Sequence, residues 1–246
     1  MSLPKFFIPE DAAQQGFLVL TGDNAEHARV LRLRCGDGVT VCDGSGADYD
    51  CTVSDVSPGR ISLVVRGKTA SSSEPAVFCS VYMAFPKQDK LEHVIQKATE
   101  LGACEIVAFP SARCVSKPDE SSLPKKLERW QKIAAAAAGQ SGRGRIPQVS
   151  ALGSFREAVE RAAGAELPLF PYEIERALTL RAAVRGAPFR SASVMTGPEG
   201  GFTPEEAEFA RAAGLRLCTL GPRILRCETA PLCALTAVLY DAGAFD

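Results

Sequence analysis

The sequence lacks what a metal centre or a disulfide scaffold needs. Its nine cysteines, at positions 35, 42, 51, 79, 104, 114, 218, 227 and 233, include no C-x-x-C pair, and the only two histidines, His27 and His93, lie far apart. Structural zinc sites announce themselves by close ligand pairs, so no metal is expected. An odd cysteine count behind an N-terminus (Met1-Ser2-Leu3-Pro4-Lys5) without a signal peptide's apolar core reads as reduced thiols in a cytoplasm. No apolar run approaches the ~20 residues of a membrane helix, which excludes a helical transmembrane protein. Charge of one sign is missing too. Twenty-eight basic against 29 acidic residues leave a net charge of -1, and that total alone argues against a positive coat for nucleic acid.

What is present, 246 residues with 46% hydrophobic, suits two domains. Residues 1–70 read as β-rich. Val39 and Val41, then Ile61, Leu63 and Val65, alternate with polar neighbours, and Asp43-Gly44-Ser45-Gly46 and Ser57-Pro58-Gly59 supply turns. One helix interrupts them from Asp23 to Leu33, with His27, Val30 and Leu31 on one face. The short polar tract from Lys68 to Pro75 marks a boundary.

Over 76–246 the period changes to a β/α alternation. Strands are expected at Val77–Phe85, Ile106–Phe109, 166–170, 192–196 and 216–220. Helices are expected at Gln88–Leu101 (stopped by Gly102), Lys125–Ala138, after Ser154 and Thr203, each with a glutamate three residues on, and near 228–240. Such alternation argues for a mostly parallel sheet covered on both faces.

Charge is unevenly distributed. Residues 76–150 hold 11 basic and 7 acidic side chains, whereas 1–75 hold 7 and 10. Lys125, Arg129 and Lys132 share a helix face, Arg143 and Arg145 follow in a glycine-rich loop, and Arg29, Arg32 and Arg34 form a smaller cluster. A solvated helix face with a flexible loop explains these residues equally well.

Two segments carry the chemistry. Thr196-Gly-Pro-Glu-Gly-Gly-Phe-Thr-Pro204 follows a buried strand and leads into a helix, where α/β proteins bind ligands. Its glycines let bare main-chain groups lie against a flat ligand, and it lacks the lysine of a phosphate loop. Leu220-Gly-Pro-Arg-Ile-Leu-Arg-Cys-Glu-Thr-Ala230 lies at another strand end. Two neighbouring loops, each with glycine and a glutamate, describe a pocket for a small zwitterion. A tight turn and a helix-dipole partner are the structural alternatives for these residues.

These two segments, with His27-Ala-Arg-Val-Leu-Arg32, Gln96-Lys-Ala-Thr-Glu-Leu-Gly102, Arg129-Trp-Gln-Lys-Ile133 and Gln140-Ser-Gly-Arg-Gly-Arg-Ile-Pro147, resemble the RsmE family. These are the 16S ribosomal RNA uridine N3-methyltransferases of the SPOUT superfamily. The resemblance implies an N-terminal PUA-like β-barrel RNA-binding domain (1–70) and an α/β trefoil-knot methyltransferase domain (76–246). It also implies S-adenosylmethionine as cofactor, a homodimer, and 16S rRNA in the small ribosomal subunit as partner. Cofactor contacts would come from Thr196, Gly197, Glu199, Gly200, Gly201, Leu220, Gly221, Ile224, Leu225 and Arg226, with Phe170 in a third wall. Catalysis would fall to Arg226, steadying charge on the uracil carbonyls, and to Glu228 or Glu199 as proton acceptor. RNA would lie along Lys5, Arg29, Arg32, Arg34, Arg113, Lys125, Arg129, Gln140, Arg143 and Arg145. Three departures stand out: Lys5 replaces a usual arginine, Gly139 a usual glutamate and Cys227 a usual threonine. Competing readings are an RNA-binding assembly factor with little catalysis and a SPOUT methyltransferase with another RNA target.

Overall fold

The computed structural model describes residues 3–8, 16–119, 121–185 and 188–246. The chain forms two compact units, Met1–Glu74 with Ala138–Ile146, and Pro75–Ala137 with Pro147–Asp246.

The first unit contains β1 (Lys5–Phe7), β2 (Phe17–Thr21), α1 (Gly22–Val30), β3 (Gly38–Cys42), β4 (Ala47–Ser57) and β5 (Arg60–Ala70). Their sheet runs β1-β3-β4-β5-β2, antiparallel except for the β1–β3 pair. The alternation read from sequence sends Val39, Val41, Ile61 and Leu63 into one core, which Phe6, Leu18 and Leu20 complete, while Val65 is only partly buried at its margin. The helix differs from expectation. It starts at Gly22, buries Ala25 and Ala28, and leaves Val30 and Leu31 exposed. Alanine on the inner face lets the helix backbone approach β2 and β5 closely, and the larger apolar residues turn outward.

The segment 138–146 belongs to this unit, although the sequence places it with the second. Glu74 gathers it, accepting from the Arg143 guanidinium (2.6 Å), Gly144 N–H (2.8 Å) and Arg145 N–H (3.0 Å). The Cys42 thiol donates to the Gly144 carbonyl, and Ser45 bridges Arg145 in antiparallel fashion. A side chain at Gly144 would collide with Ser71.

The second unit contains β6 (Phe78–Ala84), α2 (Lys90–Leu101), β7 (Glu105–Phe109), most of α3 (Leu123–Ser141), β8 (Gln148–Ala151), α4 (Phe155–Ala162), β9 (Leu167–Pro171), α5 (Leu180–Val184), β10 (Ser191–Thr196), α6 (Pro204–Ala212), β11 (Arg216–Cys218) and α7 (Thr229–Asp241). Every strand pair is parallel, in the order β11-β9-β10-β6-β7-β8. Both caps read from sequence are present. Ser154 accepts from Glu157 N–H, and Thr203 with Glu206 closes a full capping box with Pro204 in the first turn. From β6 the chain builds outward through β7 to β8, then returns to the other side of β6 with β9, β10 and β11. That reversal opens a crevice at the carboxyl ends of the strands, where α/β sheets hold ligands.

Candidate active site

The carboxyl ends of four adjacent strands, β11, β9, β10 and β6, bound this crevice. Loop 197–203 leaves β10, loop 219–228 follows β11, and Pro171-Tyr172-Glu173 ends β9. Together with Lys90 they line a cavity of about 430 Å³. That volume suits a ligand of nucleoside size. Of the residues expected to hold a cofactor, Thr196, Gly197, Glu199, Gly200, Gly201, Leu220, Gly221, Ile224, Leu225 and Arg226 all line it. Phe170 does not. It is fully buried and stacks on Phe202 at 4.3 Å between centroids, so it supports the glycine loop from beneath. The alternation of β9 turns its side chain into the core, and the wall comes from the residues after it.

The backbone there is built for close approach. Gly201 sits at φ +64°, and a Cβ on it would stand 2.5 Å from Glu173 Oε1. A Cβ on Gly197 would stand 3.0 Å from the Gly201 carbonyl carbon, where no side-chain rotation could relieve it. Arg113 spans the outside of the loop and donates to the Gly200 carbonyl at 2.8 Å.

The electrostatics centre on a residue that sequence reading misses. Lys90 Nζ donates to Glu199 Oε1 at 2.9 Å and lies 3.5 Å from Glu228 Oε2. Lys87 N–H also donates to Glu199 Oε1, at 3.0 Å. The Cys227 thiol donates to Glu228 Oε2 at 3.2 Å. Burial pushes the Glu199 carboxyl up, but hydrogen bonds from Lys90 and backbone N–H groups outweigh it and hold it below the ordinary glutamate value. Glu228 is lowered likewise, burial being outweighed by its own N–H, the Cys227 thiol and Lys90. Burial first, then the bond to Glu228, pushes the Cys227 thiol up to about 12, so it stays protonated. The bond to Glu199 raises Lys90. An isolated lysine at the start of an amphipathic helix gives no motif or period; only the pairing of strand ends reveals it.

The residues expected along the RNA divide between the two units. In the first unit Arg29, Arg32, Arg34 and Gln140 are exposed, Arg32 with φ +56°. Lys5 instead binds Asp48 (2.8 Å) and the Gly142 carbonyl (3.1 Å), with its side chain 10% exposed. Arg143, 2% exposed, is held by Glu74, and Arg145 is half-buried. Lys5 and Arg143 are thus neutralised inside the fold, while Arg145 is held there by its backbone N–H. In the second unit Arg113 and Lys125 are exposed, and Arg129 is paired with Glu92 and, at 3.6 Å, with Asp89. Among the described residues no cluster of histidine, cysteine or carboxylate is placed to hold a metal, and no helix is long and apolar enough to cross a membrane.

Comparison with known proteins accords with this geometry. Residues 73–239 match the RNA methyltransferase domain family and residues 20–66 the RNA methyltransferase PUA domain family. Ribosomal RNA small subunit methyltransferase E of Bacillus subtilis is 37% identical over 228 residues, covering 90% of this chain and 89% of that protein. Its counterpart in Mycobacterium tuberculosis is 36% identical, covering 93% and 90%. The crystal structure of ribosomal RNA small subunit methyltransferase E from Neisseria gonorrhoeae bound to S-adenosyl methionine superposes with a TM-score of 0.83 at 31% identity, covering 96% of each chain.

Proposed function

Because the chain belongs to the ribosomal RNA small subunit methyltransferase E family, we propose that it methylates N3 of a uridine in 16S ribosomal RNA, using S-adenosylmethionine. The observation that carries this reading is the convergence of two glycine-bearing strand-end loops on one cavity without a phosphate-loop lysine. The cavity fits the cofactor by its chemistry. Bare main-chain groups of 196–201 and 220–226 suit an adenine edge, and because a Cβ at Gly197 or Gly201 would strike the loop's own backbone or Glu173, glycine is what lets the main chain take this course along the cavity. When bound, S-adenosylmethionine supplies a methyl group already activated on a sulfonium.

The protein's own task is then positioning, which yields most of the acceleration in such a transfer. The uracil N3 proton has to leave, so a proton acceptor or a stabiliser of the uridine anion is needed. Arg226, exposed on the cavity rim, is assigned to the uracil carbonyl oxygens. Glu228 ranks above Glu199 as acceptor, because Glu199 Oε1 takes both Lys87 N–H and Lys90. Both carboxylates are weakened as bases by their lowered pKa, which places more of the work on Arg226.

The same reading includes a knot in the C-terminal unit, a homodimer and a cytoplasmic enzyme. Ile224, 79% exposed on the cavity rim, is an apolar side chain that a second copy would cover. RNA contact is assigned to Arg29, Arg32, Arg34 and Gln140 in one unit and to Arg113, Lys125 and Arg129 in the other.

Calorimetry with S-adenosylmethionine, followed by methylation of intact small subunits and naked 16S RNA with the product base mapped, tests the reading. N3-methyluridine at one position is expected, with Arg226→Ala losing the most turnover and Glu228→Ala more than Glu199→Ala. No cofactor binding would favour a non-catalytic assembly factor; a methylated ribose would favour another RNA methyltransferase.

A further inference from the structure

Among the described residues, no hydrogen bond runs directly between the 197–203 and 219–228 loops; each turns on its own bonds or on neighbours outside the pair. Among the same residues, Lys90 alone reaches both. Its Nζ lies 2.9 Å from Glu199 on the first loop and 3.5 Å from Glu228 at the end of the second, with Cys227 Sγ at 3.8 Å. The ammonium sits at the first turn of α2, and the backbone just before it, at Lys87, adds its own N–H to Glu199. One turn from a third strand end, that of β6, therefore holds both walls of the cavity.

We propose that Lys90 is a positioning residue that locks the two cofactor loops in register by neutralising the carboxylate each presents. This rests on the proposed cofactor-binding function. The geometry explains why a lysine is needed. The side chains of Lys90, Glu199 and Glu228 are 24%, 28% and 21% exposed, so water screens the two carboxylates only in part. Two carboxylates brought together without the cation repel each other, and the loops carrying them separate. Removing one partner of a shielded pair costs more than the pair contributes, because a charge is left unpaired. Arg226, beside Cys227 in the second loop, is exposed on the rim, and among the described residues its side chain bonds neither carboxylate.

The test is calorimetric titration of S-adenosylmethionine and S-adenosylhomocysteine into the wild-type protein and the variants Lys90→Met, Lys90→Arg and Lys90→Met/Glu228→Gln, with circular dichroism to establish folding. Lys90→Met is expected to weaken both ligands about tenfold or more. Lys90→Arg should retain most of the affinity. The double variant should recover part of what Lys90→Met lost, since the remaining carboxylate is no longer opposed. A folded Lys90→Met protein with wild-type affinity overturns the proposal, and so does a double variant weaker than the single one. Failure of the wild-type protein to bind either ligand strikes instead at the methyltransferase reading, which keeps the two failures apart.

Discussion

At the scale of single residues, the pocket depends on the absence of side chains as much as on their presence. Gly197 and Gly201 are both glycines in the same loop, yet they are required for different reasons. Gly201 has a left-handed backbone, which costs another residue about 1 kcal/mol, while the Glu173 carboxylate above it is a flexible end that can swing away. Gly197 faces backbone, and backbone cannot move without moving the loop. Gly197→Ala is therefore expected to lose more cofactor affinity than Gly201→Ala, while Gly201→Ala lowers the unfolding free energy by about 1 kcal/mol. Titration calorimetry and urea unfolding separate the two; equal affinity losses would show that the close approach at Gly197 does not matter. The glycines and both glutamates are legible in the sequence because they cluster in a motif. Lys90 is not, since its partners lie more than a hundred residues away. Phe170 is legible at the right strand end but on the wrong side of the strand.

At the scale of elements, periodicity is enough wherever one face of a strand or helix is buried. The β/α alternation, the apolar stripe of α2 and the caps of α4 and α6 follow from local sequence. α1 is harder to read, because its inner face is alanine and its larger apolar residues face solvent. The end of α3 and the turn after it, 138–146, cannot be assigned to their unit from sequence. Their glycines and arginines suggest a mobile, phosphate-seeking segment, whereas their order comes from Glu74, Cys42 and Ser45, which are distant in sequence. Glu74 is the single acceptor common to Arg143, Gly144 and Arg145. Replacing it with alanine takes away the carboxylate that the Arg143 guanidinium, 3% exposed at its side chain, faces at 2.6 Å. Loss of one partner from a buried pair costs about 3 kcal/mol or more. Urea unfolding of Glu74→Ala should show a loss of that order; a change under about 1 kcal/mol would mean that the loop's apolar and backbone contacts suffice without the ion pair.

At the scale of the molecule, a net charge of -1 conceals which cations are available. Counting basic residues by sequence includes Lys5 and Arg143, which the fold has already neutralised with Asp48 and Glu74. It also includes Arg129, which faces Glu92. The exposed set of Arg29, Arg32, Arg34, Arg113 and Lys125 is smaller, and it is this set that can displace counterions from a phosphate backbone. Each cation that contacts a phosphate adds about 0.7–0.9 to the slope of log affinity against log salt. For binding to small subunits or their RNA, Lys125→Ala, Arg29→Ala and Arg34→Ala are each expected to reduce that slope by roughly this amount. Arg129→Ala should reduce it by less, because the carboxylate of Glu92 already stands where a phosphate would. Slopes measured at four or five salt concentrations decide the matter. If Arg129→Ala changes the slope as much as Lys125→Ala, then RNA displaces Glu92, and the ion pair belongs to the free protein alone.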